Sequence, residues 1–421
     1  MHTRSQEAVL EKIFRRTTHG IRFGLDRIAQ AAAEVGNPHH AFKSFHIAGT
    51  NGKGSVCAYL DSVLRMQGCT TGMFTSPHIV RFEERFLVNG KCVHGDEWLE
   101  VFRDIEFLVD KYELSFFEIA TLIAFELFRR RGVKRAVIET GMGGRLDATN
   151  IVTPEVAVVT AVGKDHTEYL GSDMVTIAKE KLGIVKAGIP LVISGQNSRE
   201  VIEAAQAVCR ENNVSCTIAD NTEIVAVDEG EKGVSFVYRG VNIQTPLKGA
   251  CQVYNALCAI KAMEVSGLYE ETSIRQGIAS TLLPGRFQQI RIRGKDIVFD
   301  VAHNPQAAEQ LCQQIVHRFP EVPVCIVAGI LRGKDVSGIL RHYCSCAALL
   351  VLTRPDTSRA AEPSLLADLL PEDTAVDRII KNTVKEAVDY ACENFNGCIC
   401  ITGSFYTVGE AMTVLGIEPY A

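Results

Sequence analysis

The chain has 421 residues, 47% of them hydrophobic and 22% charged, with a formal net charge of −6. That length supports two or three domains with full cores, and the composition is that of a globular chain, neither disordered nor fibrous. An acidic balance argues against nucleic acid as a partner. Without an apolar run long enough for a membrane span or a signal-peptide core in residues 1–7, the reading is a cytoplasmic protein with no membrane partner.

In chain order, residues 5–36 carry helical apolar spacing that ends at Gly36-Asn37-Pro38, and residues 42–48 read as a first strand. Val56, Leu60, Val63 and Leu64 then share one helical face, with Gly68 as the stop. A second strand is predicted over 70–75, followed by the loop Ser76-Pro77-His78, a hairpin over 85–95 and helices over 96–111 and 115–131. Strands over 135–139 and 156–162 come next. Helical spacing covers Lys179 to Ile184, a strand covers 190–194, and 214–247 alternates as antiparallel strands decorating the main sheet. Residues 252–265 read as an amphipathic helix. Pro284-Gly285-Arg286 marks the domain boundary, dividing the chain into 1–284 and 285–421. Beyond it the pattern restarts, with strands over 297–301, 324–328, 349–353 and 398–402.

Between the first strand and its helix lies Gly49-Thr50-Asn51-Gly52-Lys53-Gly54-Ser55. Three glycines, a lysine and two hydroxyls suit a loop whose N–H groups wrap a phosphate, with Lys53 offsetting charge on the outer phosphates. A lysine facing a helix N-terminus is electrostatically misplaced unless an anion sits there. The stretch departs from the full P-loop pattern, because Gly54 follows Lys53 and the hydroxyl comes one residue later.

Each apolar run finishes in a polar or glycine-rich loop. Ser76, Glu139, His166 and the phosphate loop therefore fall at the carboxyl edge of one parallel sheet, where doubly wound folds bind ligands. Glu139, Ser76 and His166 are candidate ligands for Mg²⁺, with Ser76 standing in for the hydroxyl missing after Lys53; a core or helix-capping role is the alternative for His166. The second half repeats the pattern in Asp300-Val-Ala-His303, Gly329 to Asp335, Arg354-Pro-Asp356 and Gly403-Ser404. Two α/β domains facing each other across a nucleotide suggest phosphoryl transfer, with kinase, ligase and nucleotide-driven switch all open. The fourteen cysteines are dispersed and contain no C-x-x-C pair, which points to free thiols; Cys398 and Cys400 read as strand positions.

The motif series His46 to Ser55, Thr75-Ser-Pro-His78, Glu139 to Asn150, Asp165-His-Thr167, Pro284-Gly-Arg-Phe287, Phe299 to Pro305 and Thr402-Gly-Ser-Phe405 resembles that of the folylpolyglutamate synthase/dihydrofolate synthase family of Mur ligases. It runs in order from about residue 20 to 410. The resemblance implies an α/β fold with an N-terminal P-loop-type ATP-binding domain of mostly parallel sheet and a smaller C-terminal Rossmann-like domain. It implies ATP-dependent ligation: a pterin-linked carboxylate is phosphorylated to an acyl phosphate and attacked by L-glutamate. The substrates implied are ATP, L-glutamate and dihydropteroate or a reduced folate, taken by a monomer.

Position by position, the resemblance makes Gly49 to Ser55 the phosphate loop, and Ser76, Glu139 and His166 the magnesium ligands. Lys181 matches a carbamylated lysine that helps bind a second Mg²⁺. Asn255 and Arg286 match nucleotide contacts, Asp300 and His303 match residues near ATP and the ligated glutamate, and Ser404 falls beside the glutamate. Phe117 and Asp147 match positions near the pterin, where a stacking ring and an acid suit its chemistry; helix core is the alternative for Phe117. Cys251 stands where many relatives have His. A cell-wall UDP-sugar ligase is disfavoured, since fewer than fifty residues precede Gly49.

Overall fold

Short runs of β-branched and small apolar residues, bounded by glycine and polar turns, give the strands. In the computed structural model, which describes residues 4–16, 24–165, 167–292, 294–372 and 374–420, they form two large sheets and one small one. The chain divides into two units. The first is Met1–Pro77, Phe82–Pro246 and Ala250–Leu282, and the second is His78–Arg81, Leu247–Gly249 and Leu283–Ala421.

In the first unit, β1 (Lys43–Ala48), β2 (Thr71–Phe74), β3 (Phe86–Val88), β4 (Lys91–Cys92), β5 (Arg135–Glu139), β6 (Val156–Val159), β7 (Leu191–Ser194) and β8 (Cys216–Ala219) make one sheet. Their order is β4-β3-β2-β5-β1-β6-β7-β8. The stretch from β2 across to β8 is parallel, and β3 and β4 add an antiparallel edge. From β1 the chain goes to one side for β2 and β5, then crosses to the other for β6. β1 therefore ends at a reversal of strand order, the place where open α/β sheets hold ligands.

Alternation along the strands sends Ala136, Ile138, Ala157 and Val159 to one face and Val137 and Val158 to the other. Ala136 and Ile138 pack with Trp98, Phe102, Phe125 and Phe128 from the helices Gly95–Lys111 and Phe116–Arg130. A capping box starts the second of these: Ser115 Oγ accepts from the Glu118 N–H while the Glu118 carboxylate accepts from the Ser115 N–H. The helix Lys53–Met66, which leaves β1, is buried continuously from Ser55 to Leu64, because β5 and the helices Cys251–Val265 and Glu271–Ala279 pack around it.

Several elements differ from the sequence reading. The helical spacing over 5–36 resolves into helices Arg4–Arg15 and Asp26–Glu34, with residues 17–23 outside the described set. Within 214–247, Cys216–Ala219 joins the main sheet in parallel, and the antiparallel strands β9 (Ile224–Gly230), β10 (Gly233–Tyr238) and β11 (Val241–Thr245) form a separate three-stranded sheet. The helix Cys251–Val265 is buried from Asn255 to Met263 and has no wet face there, which is why its amphipathic pattern was only apparent. The 85–95 hairpin turns at Asn89 and Gly90, both left-handed, as a two-residue turn between twisted strands requires.

In the second unit, β12 (Gln288–Ile292), β13 (Lys295–Phe299), β14 (Val324–Ala328), β15 (Leu349–Leu352), β16 (Asp377–Ile380) and β17 (Cys398–Thr402) pair in the order β12-β13-β17-β14-β15-β16. β12 is antiparallel and the others parallel. Val298, Ile326 and Cys400 feed one core and Phe299, Val327 and Ile401 the other, so the central strands are apolar on both faces. Ile79 and Val80 pack against the second of these cores.

Candidate functional site

The loop after β1 is held in a shape that only glycine allows at two positions. Gly49 has φ +149° and Gly52 φ +90°. A Cβ on Gly49 would stand 1.9 Å from Thr160 Oγ1, and one on Gly52 would stand 2.3 Å from Asn255 Oδ1. The structure thus brings Asn255, whose Nδ2 donates to Gln252 Oε1 at 3.0 Å, against the loop.

The loop is strapped to the chain that follows β6. Thr50 N–H and Asn51 N–H both donate to Ala161 O, at 2.8 and 3.2 Å. Thr50 Oγ1 donates to Gly163 O at 3.0 Å and accepts from the Gly163 N–H at 2.9 Å. Lys53, the first residue of its helix, folds back so that Nζ donates to Gly49 O and Thr50 O, each at 3.2 Å, and lies 3.9 Å from Glu139 Oε1.

Glu139 ends β5 and is buried, and its Oε2 accepts from the Ser76 N–H at 3.1 Å. Ser76, Glu139 and Lys53 therefore converge at one sheet edge, and His166 lies outside the described residues. Among the described residues no three His, Cys, Asp or Glu side chains form a cage for an ion. The oxygen donors that are present fit a magnesium ion completed by substrate phosphates and water, its usual coordination.

Lys181, on the helix Met174–Leu182, reaches the same place. It is buried, and Nζ donates to Gly49 O at 3.0 Å. Burial, with Lys53 nearby, pushes its pKa down from 10.5 to about 7, so that much of it is the neutral amine near pH 7. A carbamate forms on the neutral amine.

Phe117 and Asp147 meet the Thr140 to Asn150 loop in different ways. The Phe117 ring lies against Gly141, where a Cβ would be 2.6 Å from its Cζ, and against Phe74 at 5.8 Å between centroids. Asp147 is turned inward. Its Oδ2 accepts from the Met142 N–H at 2.9 Å and its Oδ1 from the Thr149 N–H at 3.0 Å, and burial raises its pKa against these bonds. Thr149 Oγ1 also contacts His46 Nε2 at 2.8 Å.

In the second unit, Asp300 follows β13 and is half-buried. Its Oδ2 accepts from the Phe287 N–H and its Oδ1 from the Ala302 N–H, both at 2.8 Å. Burial raises its pKa, and Arg286, these N–H groups and His303 oppose that rise. Arg286 stacks over Phe405 at 5.2 Å, and the His303 ring lies 5.8 Å from the same phenyl ring. His303 Nδ1 is 2.9 Å from Val301 O, so Nδ1 carries the proton and Nε2 is the basic nitrogen. Ser404 caps the helix Phe405–Val414: its buried Oγ accepts from the Thr407 N–H at 3.1 Å.

The strap made by Thr160 to Gly163 was not among the residues that the sequence singled out. Nothing local marks it, since it depends on which strand end lies beside β1.

Comparison with known proteins adds the following. Residues 47–263 match the Mur ligase middle domain, and residues 285–405 match the Mur ligase glutamate ligase domain. The chain is 34% identical over 412 residues to a dihydrofolate synthase/folylpolyglutamate synthase of Escherichia coli, covering 94% of this chain and 92% of that protein. Among solved structures, E. coli FolC in complex with DHPP and ADP matches with a TM-score of 0.86 at 32% identity, covering 98% and 97% of the two chains. A bifunctional folylpolyglutamate synthase/dihydrofolate synthase with Mn, AMPPNP and L-glutamate bound matches with a TM-score of 0.83 at 30% identity, covering 98% of each.

Proposed function

The chain belongs to the Mur ligase family, in its dihydrofolate synthase/folylpolyglutamate synthase branch, and from that premise we propose which residues carry out its ATP-dependent ligation of L-glutamate to a folate-type carboxylate. The observation that carries the reading is the convergence of the left-handed Gly49 and Gly52, Lys53, Glu139 and Lys181 at the carboxyl end of β1.

A carboxylate is a poor acyl donor, and phosphorylation gives it a leaving group. Gly49 to Ser55 wraps the phosphates of ATP, and Lys53 leaves its two carbonyl partners to offset charge on the transferred phosphoryl group. Ser76 and Glu139, with His166, hold the magnesium ion, which when bound neutralises phosphate charge. Lys181, as its carbamate, supplies the carboxylate for a second ion. Asn255 and Arg286 serve the nucleotide. Phe117 offers a ring to the pterin, and Asp147 sets the loop beside that ring.

Glutamate's amine attacks the acyl phosphate, phosphate leaves, and the amine gives up a proton. His303 is built to take it at Nε2, with its orientation fixed by Val301 O. Asp300 holds the turn that carries His303, and Ser404 lies near the incoming glutamate. We propose a bifunctional enzyme that uses both dihydropteroate and tetrahydrofolates and acts as a cytoplasmic monomer.

ADP release measured with each acceptor, with and without L-glutamate, tests this. Release should depend on both an acceptor and glutamate, and dihydropteroate should yield dihydrofolate. Hydrolysis that needs neither substrate would refute ligation, and activity with tetrahydrofolate alone would refute bifunctionality.

A further inference from the structure

We propose that Asn197 is a positioning residue for the nucleotide-binding loop, an inference that rests on the reading of that loop given above. Asn197 lies in the turn after β7, and its side chain is buried. Its Nδ2 donates to Thr160 O at 3.1 Å and Ser194 O at 2.8 Å, and its Oδ1 accepts from the Val162 N–H at 2.8 Å. With both amide protons directed at carbonyls, the orientation of the group is fixed.

The ladder explains why an amide is needed there. β6 pairs with β7 as far as Val159 opposite Ile193, after which β7 runs on into a turn. Past that point Thr160 C=O and Val162 N–H lie buried beyond the paired strand, and the Asn197 amide takes the place of the next β7 residue.

What Asn197 holds on one side, the phosphate loop grips on the other. Thr160 N–H donates to Ala48 O at 2.9 Å, Thr160 Oγ1 donates to Asn51 O at 2.7 Å, and Ala161 O takes the N–H groups of Thr50 and Asn51. A shift of this strap moves the backbone of Gly49 to Asn51 with it. Asn197 therefore sets nucleotide affinity through two layers of hydrogen bonds, without touching the ligand.

The test uses the full chain with two variants. Asn197→Leu keeps about the same volume and removes all three bonds, whereas Asn197→Asp keeps the acceptor for Val162 and loses both donations. Calorimetry would measure ADP and a pteroate acceptor separately, beside thermal melting and hydrogen exchange over residues 160–163. ADP should bind about tenfold more weakly to the Leu variant, and less weakly to the Asp variant, as for other outer-layer partners of a ligand site, with acceptor affinity unchanged. Exchange over 160–163 should speed up in both.

An ADP affinity within about twofold of the parent in a folded variant, or equal losses for ADP and acceptor, would overturn the proposal. If the Leu variant does not fold, the Asp variant decides by the same criteria. Failure of the parent to bind ADP would overturn the reading of the loop itself, and that control comes first.

Discussion

Adding one methyl group at position 52 should disable the phosphate loop by an amount that follows from its geometry. Gly52 has φ +90°, and a Cβ there would meet Asn255 Oδ1 at 2.3 Å and its Cγ at 3.1 Å. A left-handed backbone costs an L side chain about 1–2 kcal/mol. Turning the Asn255 amide away also gives up its bond to Gln252, worth about 1 kcal/mol. The empty loop escapes the overlap by leaving the cradle shape, so the cost of about 2–3 kcal/mol falls on nucleotide binding and weakens it about 30- to 150-fold. Titration of Gly52→Ala with AMPPNP measures this. The Gly52→Ala/Asn255→Ala protein should lose less than the sum of the two single variants, because the overlap has gone. Binding of AMPPNP by Gly52→Ala within about threefold of the parent would refute the reasoning.

Three other perturbations follow. Lys53→Ala should lower the rate of ligation by about a thousandfold or more with an unchanged circular dichroism spectrum, and near-normal turnover would contradict its role on the phosphates. Burial holds His46 down to about 3, against about 6.5 in an unfolded chain, so the unfolded state takes up its proton first as pH falls. Its contribution is therefore intact above about pH 6.5 and erodes toward pH 3 by up to about 1.4 kcal/mol per unit, and His46→Gln should flatten the acid limb of urea midpoints measured against pH. Ser404→Ala should lower the stability of the second unit by about 1 kcal/mol through loss of the cap on Thr407, read from the same denaturation curves.

What could be read from the residues was what is local. Glycine spacing around Lys53 and the polar ends of apolar runs mark a ligand edge, because both depend on neighbours in the chain. The edge strands β12 and β16 escaped notice: Gln288, Gln289 and Arg291, or Asp377 and Arg378, leave no apolar run to detect. Lys181 was hidden in the opposite way. Lys179-Glu180-Lys181 looks like a wet helix face, and only packing shows that the third residue is buried with its amine on Gly49 O while Lys179 is not buried. Residue type led to Lys181 only through family resemblance.

The acids show where residue identity stops being informative even when it points to the right loop. Asp147 and Asp300 both follow strands and both read as ligand groups, yet each carboxylate accepts a pair of backbone N–H groups, from Met142 and Thr149 for Asp147 and from Phe287 and Ala302 for Asp300. A carboxylate has about four acceptor positions, and a sequence does not show how many the fold has already taken. For Asp147, the Thr149 hydroxyl takes a third. An acid so engaged acts on a substrate first through the loop it shapes: Asp147 through the chain beside Phe117, Asp300 through the turn that presents His303. Glu139 is different: one of its oxygens accepts from the Ser76 N–H, and the other lies 3.9 Å from the Lys53 amine, a partner that phosphate can draw away. Of the three acids, Glu139 is the one whose geometry suits a metal ligand.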